Sequence, residues 1–122
     1  MSAPDVARTL ERYAACVTAG DVDGIVALYA PEATIEIPVG SGVRRGVDAI
    51  RAFYAGNELA ERLELSGPVC AAAGEAAAPM RARIRRDGRL YEIDVIDVVA
   101  FDAQGRLTRL RAFFDLSGAR PV

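Results

Sequence analysis

The stretch YEIDVIDVV, residues 91–99, places two aspartates in a run of β-branched and aromatic residues that is typical of a β-strand. Because successive side chains of a strand point to opposite faces, Asp94 and Asp97, three residues apart, must lie on different faces. The residues that alternate with Asp97 are Tyr91, Ile93, Val95 and Val99. The pattern therefore predicts that Asp97 is buried.

The residues before this strand predict its antiparallel partner. Asp87-Gly88 is a two-residue turn of the kind that joins hairpin strands. The segment PMRARIRR, residues 79–86, alternates apolar residues with arginines. The arginines that face Glu92 and Asp94 across the hairpin are Arg81, Arg83 and Arg85. Asp94 therefore belongs to an ordinary cross-strand charge ladder, and Asp97 does not.

Helical spacing dominates the first part of the chain. A helix is predicted to begin near Ser2, with Pro4 and Asp5 in its first turn, and to end at Gly20. Its apolar positions recur at helical spacing: Val6, Leu10, Tyr13 and Val17. Asp21 follows directly and can cap a second helix.

Two shorter helices and a strand come next. The second helix is expected to carry Ile25, Leu28 and Tyr29 and to end before Pro31. In ATIEI, residues 33–37, every second residue is expected on one face: Ala33, Ile35 and Ile37. A third helix is predicted over residues 47–55, and the aromatic and aliphatic residues it presents are Ile50, Phe53 and Tyr54.

The remaining segments predict strands. A weak strand covers residues 63–73, in which Pro68 marks a break or bulge. After a turn at residues 102–105, RLTRLRAFF, residues 106–114, returns as a strand. The residues on its apolar face are Leu110, Ala112 and Phe114. Three helices on one side of a curved, mostly antiparallel sheet predict an α+β fold, in which the helices close a cone.

The composition limits the function classes. Of the 122 residues, 52% are hydrophobic, which suffices for one domain over residues 1–122. No apolar run is long enough to span a bilayer, and the net charge of −2 gives no reason to expect nucleic acid. The chain has no His, and its basic residues are all Arg, which excludes histidine triads, histidine metal sites and lysine Schiff bases.

The two cysteines and the N-terminus bear on the compartment. Cys16 and Cys70 are far apart in sequence and fit no metal spacing, and reduced thiols are favoured over a disulfide. The first residues lack a basic region followed by an apolar segment, so no signal peptide is expected. We therefore expect a cytoplasmic protein without a metal or an organic cofactor.

A buried carboxylate without a partner is costly, so such a group normally takes up a proton. Two interpretations of Asp97 stay open on the residues alone. It can be a structural residue bonded to a backbone amide or a buried water, or a neutral acid kept as a hydrogen-bond donor for a ligand. A ligand-sized cavity with a second donor beside Asp97 would favour the second interpretation.

Three segments carry a resemblance to a known family: AGDVDGIVALYAPEATIE (residues 19–36), GVDAIRAFYA (residues 46–55) and DVIDVVAFDAQGRL (residues 94–107). Together they resemble the bacterial ketosteroid isomerases, or steroid delta-isomerases, over about residues 6–114. These enzymes share the cone-shaped fold of nuclear transport factor 2 and the SnoaL-type polyketide cyclases. Because relatives usually pair through the outer sheet face, the resemblance also implies a homodimer, with Ile96 and Phe113 on that face.

The resemblance implies the residues of an active site. The family's oxyanion hole combines a tyrosine on the first helix with a protonated aspartic acid on a late strand, and these positions match Tyr13 and Asp97. Tyr54 matches a tyrosine that hydrogen-bonds the first one, and Tyr29 matches a third member of that network. The residues that match the apolar lining of the steroid pocket are Val17, Phe53, Ala82, Ile84, Ile93, Val95, Val99, Leu110, Ala112 and Phe114.

The sequence departs from the family at the general base. The family has an aspartate at the end of the first strand, whereas this chain reads TIEIPVG, residues 34–40, with Ile37 at the base position. Glu36 is adjacent but belongs to the opposite face, unless a bulge before Pro38 turns it inward. A positioned base contributes about 10²–10⁴-fold, so steroid isomerisation is expected to be slow or altered.

Three functions stay open. The first is an isomerase-like enzyme that acts on a hydrophobic ketone or phenol, for which the resemblance implies a steroid. The second is a SnoaL-like cyclase or related biosynthetic enzyme, in which Tyr13 and Asp97 act as acids on a polyketide-like or terpenoid substrate. The third is a non-catalytic binding protein for steroid-like or phenolic ligands. No nucleic acid or membrane is expected as a partner.

Overall fold

The computed structural model describes residues 2–56 and 60–122. The helices are α1 (Ala3–Ala19), α2 (Val22–Val26) and α3 (Val47–Gly56). The strands are β1 (Tyr29–Glu36), β2 (Arg44–Arg45), β3 (Arg62–Leu65), β4 (Cys70–Ala72), β5 (Glu75–Arg86), β6 (Arg89–Phe101), β7 (Leu107–Phe113) and β8 (Arg120–Pro121). A short 3-10 helix, Leu116–Gly118, precedes β8. The helices pack on one face of a curved, mixed sheet, so the predicted α+β fold is confirmed.

Capping defines the ends of α1. The Ser2 amide donates to the Asp5 carboxylate at 3.3 Å, and the Asp5 amide donates back to the Ser2 hydroxyl at 3.4 Å. This reciprocal pair satisfies amides that the first turn leaves unpaired. At the other end, Gly20 has a φ of +68°, the left-handed conformation that ends a helix and favours glycine. The predicted first helix is confirmed at both ends.

The second helix is shorter than predicted. Asp21 caps it, but α2 ends at Val26, and Tyr29 is the first residue of β1. Pro31 lies within β1, where the pairing with β7 shifts register after Tyr29. A proline cannot donate to the ladder and is tolerated at such an irregularity. The prediction that Leu28 and Tyr29 belong to a helix was therefore wrong, since Pro31 interrupts a strand ladder rather than ends a helix.

The sheet is built around the β5–β6 hairpin. Its main path runs β2-β1-β7-β6-β5-β3, with β1 and β7 parallel and the other neighbours antiparallel. The first part of β5 pairs with β4, and its last part pairs with β3. Pro68 lies between β3 and β4, so the predicted break in that segment is confirmed.

The outer face of the hairpin carries the predicted charge ladder, with one exception. Arg81 lies 3.8 Å from both Glu92 and Asp94, and Arg83 lies 3.8 Å from Glu92. Arg85 pairs instead with Glu61, at 2.7 Å, because the register brings Leu90 opposite Arg85. The ladder is thus shorter than the alternation suggested.

The core lies between the helices and the concave face of the sheet. The largest fully buried side chains are Leu10, Ile25, Ile35, Ile50, Met80, Leu107, Leu110, Val6 and Val99. In the described parts of the chain, Asp97 is the one buried residue of polar or charged type, at 2% exposure. Cys16 and Cys70 are both free thiols. Among the helices of the described residues, none combines the length and apolarity that a membrane crossing requires.

The outer sheet face has an apolar centre. Ile96 on β6 and Phe113 on β7 are register neighbours, exposed to 44% and 40%. The Arg111 guanidinium lies 5.1 Å from the centre of the Phe113 ring. We propose that this face joins two copies of the chain, since a two-fold interface needs a self-complementary patch.

We expect light scattering to find a dimer at micromolar concentration and a monomer for the variant Ile96→Glu, because the change places a charge in the centre of the interface. Val43→Glu is the matched control, since Val43 lies in a loop and is 64% exposed. It should leave the dimer intact. A monomeric parent protein would rule out this dimer without affecting the fold.

Candidate active site

A cavity of about 1070 Å³ opens between the helices and the concave face of the sheet. Its volume reaches the upper end of the range of ligand pockets. Eight of the ten predicted lining residues border it: Val17, Phe53, Ala82, Ile84, Ile93, Val95, Ala112 and Phe114. Tyr13, Tyr54, Ile37 and Asp97 border it as well.

Two predicted lining residues do not border the cavity. Val99 and Leu110 are fully buried and face each other across β6 and β7. Both lie on the apolar face of the sheet, as the alternation indicated. The face continues beyond the cavity, and at these positions it packs in the hydrophobic core. The lining role that the resemblance implied for them is therefore not found, because a place on the apolar face does not determine how far a cavity extends along that face.

Asp97 lies at the closed, apolar part of the cavity. Its carboxyl group has no hydrogen-bond partner among the residues that the structure describes, and burial raises its pKa from 3.8 to about 7. A structural aspartate would be expected to bond to a neighbouring amide. The carboxyl group instead borders the cavity, where its protonated form can donate a hydrogen bond to a ligand.

Three tyrosine hydroxyls form a chain next to Asp97. The Tyr54 hydroxyl lies 2.9 Å from that of Tyr13 and 2.7 Å from that of Tyr29. Tyr13 comes from α1, Tyr29 from the start of β1 and Tyr54 from α3. Tyr13 and Tyr54 border the cavity, whereas Tyr29 contacts it only through Tyr54. The chain therefore runs from the core to the cavity wall.

The hydroxyls stay protonated near neutral pH. Burial, and secondarily the nearby Asp97 carboxyl, raises the pKa of Tyr13 above its ordinary value. Burial likewise raises the pKa of Tyr29 and Tyr54. If Tyr29 donates to Tyr54 and Tyr54 donates to Tyr13, the Tyr13 proton is left for a ligand. Such a chain strengthens each of its bonds by polarisation.

The end of β1 presents no carboxylate to the cavity. Ile37 and Pro38 border it at this point. Glu36 points away, accepting a hydrogen bond from the Gly40 amide at 3.0 Å and lying 3.6 Å from Arg111. The alternative in which a bulge turns Glu36 inward was therefore wrong, because ordinary strand alternation holds as far as Ile37.

The mouth of the cavity is polar, and the sequence analysis did not identify it. Its charged residues are Glu61, Arg85, Arg86 and Asp87, and all are exposed. Glu61 is already paired with Arg85. The position of Arg86 on the cavity side could have been predicted, since Arg86 continues the alternation of Ala82 and Ile84. The position of Glu61 could not be predicted, because it depends on how residues distant in sequence pair.

No group of three or more acidic, cysteine or histidine side chains in the described regions lies close enough to hold a metal ion. The candidate donors that border the apolar cavity are Tyr13 and Asp97. Such donors can bind an oxygen atom and stabilise negative charge on it.

Comparisons with known proteins identify the family of the chain. The model of the SnoaL-like domain family matches residues 10–110. The chain belongs to the SnoaL-like family. A steroid Delta-isomerase of Nocardioides simplex is 41% identical over 113 residues, which cover 90% of this chain and 89% of the isomerase. The expected relationship to steroid isomerases is thus confirmed at the level of the family.

Other SnoaL-like relatives have different activities. The epoxide hydrolase LasB of Streptomyces lasalocidi is 29% identical over 140 residues, which cover 92% of this chain and 49% of LasB. The solved structure of SalBIII, described as an epoxide hydrolase/cyclase-like enzyme in pyran ring formation in the polyether salinomycin, has a TM-score of 0.85 and 27% identity. That match covers 98% of this chain and 97% of SalBIII. The family therefore includes both isomerase and epoxide-opening relatives.

The raised pKa of Asp97 predicts a characteristic dependence of stability on pH. Between pH 3.8 and about 7 the native state holds a proton that the unfolded chain has released. Protonation of Asp97 in the native state therefore contributes roughly 4 kcal/mol to the free energy of unfolding. This contribution is fully present below pH 3.8 and is lost as the pH rises through about 7. The variant Asp97→Asn does not titrate, so its stability relative to the parent should rise over this range.

Urea unfolding at a series of pH values measures the difference. Asp94→Asn is the matched control on the same strand, because its hydrogen bond to Arg120 lowers the pKa of Asp94. Its relative stability should change in the opposite direction, falling as the pH rises through the acidic range. A pH-independent difference for Asp97→Asn would show that Asp97 is ionised in the native state.

Proposed function

We propose that this chain is a ketosteroid-isomerase-like enzyme that acts on a hydrophobic ketone. In this proposal Tyr13 and Asp97 form an oxyanion hole, which donates two hydrogen bonds to the ketone oxygen. The observation that supports it most directly is the Asp97 carboxyl, buried at an apolar cavity without a protein partner and with its pKa raised to about 7. Hydrogen-bond donors that are held in position before the reaction usually make the largest single contribution to stabilising the transition state.

Each residue has a defined part in the proposed reaction. When a base removes a proton from the carbon between the ketone and a neighbouring carbon–carbon double bond, the electron pair of that C–H bond moves towards the oxygen and forms a dienolate. Return of the proton to the far carbon of the former double bond completes the isomerisation. Tyr13 and Asp97 stabilise the charge on this oxygen through hydrogen bonds that strengthen as the charge develops. Tyr54 and Tyr29 hold the Tyr13 hydroxyl in position from behind. The apolar walls exclude water, which would otherwise weaken both bonds.

The reaction lacks an evident proton carrier. Ile37 occupies the position of the family's base, and an isoleucine can neither accept nor return a proton. Of the acids that border the cavity within the described residues, Glu61 and Asp87 lie at the exposed mouth. Arg85 also lowers the pKa of Glu61, which makes it a weaker base. Steroid isomerisation by this chain should therefore be slow, although binding of the ketone should be intact.

A second candidate is acid-initiated opening of an epoxide, and the single acid at the closed part of the cavity favours it. Protonated Asp97 can give its proton to the epoxide oxygen while a carbon–oxygen bond of the epoxide breaks. A hydroxyl of the same substrate then forms the new carbon–oxygen bond, and its proton returns to the Asp97 carboxylate or to solvent. No carbon acid is deprotonated, so Ile37 is no obstacle. Two relatives are described as epoxide hydrolase or cyclase-like.

The pH dependence of binding tests whether Asp97 is a donor. A ketone oxygen can only accept, so the affinity for testosterone should fall above about pH 7 by up to tenfold per pH unit, until only Tyr13 contributes. Estradiol has a phenol in place of the ketone and can donate to ionised Asp97, so its affinity should depend less on pH. Titration calorimetry with both steroids measures the contrast.

Asp97→Leu is the variant that isolates the effect, because leucine keeps the site apolar and removes the donor. It should weaken testosterone binding by roughly tenfold or more at pH values below 7 and abolish the pH dependence. The same pH profile for testosterone in parent and variant would exclude Asp97 from the ketone site. Failure of both steroids to bind the parent would reject the proposed oxyanion hole as a whole.

The variant Ile37→Asp tests whether the missing base alone limits isomerisation. A positioned carboxylate should accelerate the isomerisation of a 3-oxo-Δ5-steroid by about 10²–10⁴-fold. The growth of the conjugated enone absorbance measures the rate. Ile37→Asn is the matched control, since it has nearly the same shape and polarity but cannot take up the proton.

The two variants give separable outcomes. Acceleration by Ile37→Asp and not by Ile37→Asn would show that the cavity already positions the steroid. If Ile37→Asp binds estradiol but does not accelerate the reaction, the cavity is shaped for another reaction and epoxide opening becomes the better candidate. Tight binding without turnover of any ketone or epoxide would favour the non-catalytic binding protein.

A further inference from the structure

We infer that the ligand of the cavity is an elongated molecule that carries an anionic group at the end remote from Asp97, where Arg86 and Arg89 bind it at the mouth. The inference rests on the proposed function for one point only, namely that the uncharged oxygen of the ligand lies at Tyr13 and Asp97. The inference adds that a substrate of the proposed class is anionic and elongated.

Strand alternation places both arginines on the face that forms the cavity wall. On β5, Ala82 and Ile84 border the cavity, and Arg86 is the next residue on that face and borders its mouth. On β6, Arg89 shares a face with Ile93 and Asp97. The concave surface therefore changes from apolar to cationic at the tip of the hairpin.

The two arginines lie directly opposite each other, in register across the hairpin. Like charges in directly opposed positions of a sheet are destabilising. In residues 2–56 and 60–122, neither guanidinium forms an ion pair with a carboxylate, whereas Arg85 is held by Glu61 at 2.7 Å. Asp87 is the one unpaired acid that borders the mouth in the described chain, so two cations face one anion. An anionic ligand would relieve the repulsion.

Guanidinium groups suit this role because their planar donors match the oxygens of a carboxylate or a sulfate. The Tyr91 ring helps to hold the Arg89 side chain in place, since the Arg89 guanidinium lies 5.8 Å from the centre of that ring. An aromatic face below a guanidinium favours it and limits its orientations. The two arginines are thus better suited to binding an anion at a fixed position than to remaining as solvated charges on the surface.

The positions of the two ends set the length of the ligand. Arg89 and Asp97 lie eight residues apart on β6, or roughly 26 Å along an extended strand. The arginine side chain and the curvature of the sheet shorten the gap that a ligand must bridge. A four-ring steroid nucleus is shorter than the stretch of strand between these residues, so we expect a longer molecule, or a polycyclic one with an acidic side chain.

Three matched probes test the inference: estradiol, estradiol hemisuccinate esterified at the alcohol remote from the phenol, and the methyl ester of that hemisuccinate. The last two have nearly the same length, and only the hemisuccinate is charged. At low salt and about pH 6, where Asp97 is mainly protonated, the hemisuccinate should bind on the order of tenfold more tightly than its methyl ester. Added salt should reduce the difference.

The double variant Arg86→Gln/Arg89→Gln should abolish the difference between the hemisuccinate and its ester, and it should weaken estradiol binding far less than hemisuccinate binding. Arg8→Gln/Arg12→Gln is the control, because it removes the same charge from exposed positions of α1 and should preserve the difference. If the parent binds estradiol but binds the hemisuccinate and its methyl ester equally well, the inference is overturned and the proposed function is unaffected. Failure of all three probes to bind would refute the proposed function and with it the orientation assumed here.

Discussion

The burial of one carboxyl group among apolar strands determines most of what this structure can do. Asp97 lies on a face of β6 beside the buried aliphatic residues Ile93, Val95 and Val99, and the described chain offers it no hydrogen-bond partner. Ionisation there costs free energy, so burial raises the pKa of Asp97 to about 7. The buried acid lies next to a cavity, where its neutral form can serve as a hydrogen-bond donor. A fully packed core would have favoured another aliphatic residue at this position.

The tyrosine chain is the second feature, and it depends on the packing of three separate segments. Tyr13, Tyr54 and Tyr29 meet only because α1, α3 and the start of β1 converge at the same end of the cavity. Each hydroxyl would be costly to bury alone, and each is satisfied by another. Consequently the chain also stabilises the junction of these segments. Its polarity can orient the Tyr13 proton towards a ligand without the help of a charged residue.

Much of the fold and the closed part of the cavity followed from local patterns. Alternation placed Asp97 on the buried face, and the Asp87-Gly88 turn defined the hairpin on which it lies. Local patterns failed where a long-range contact decides the outcome. Tyr29 lies in β1 rather than in a helix because β7 pairs with that segment through an irregular register. Val99 matched the family's pocket lining and lies on the apolar face, but neither the match nor the alternation shows where helices cover the sheet.

The proposed site assigns three properties to three parts of the fold. In the proposal, the donors on α1 and β6 determine where a ligand oxygen binds, and the end of β1, at Ile37, determines whether the adjacent carbon can lose a proton. The inferred role of the β5–β6 hairpin tip is to determine which distal groups the mouth favours. Because these parts contact the ligand at different points, a change in one need not disturb the others. A family that includes both isomerase and epoxide-opening relatives is what such a division permits, since the oxygen-binding donors suit both reactions. In the proposed site Tyr13 and Asp97 are the donors and Ile37 stands at the position of the family's base, so the acid-initiated reaction is the one that needs no further residue from the described cavity wall.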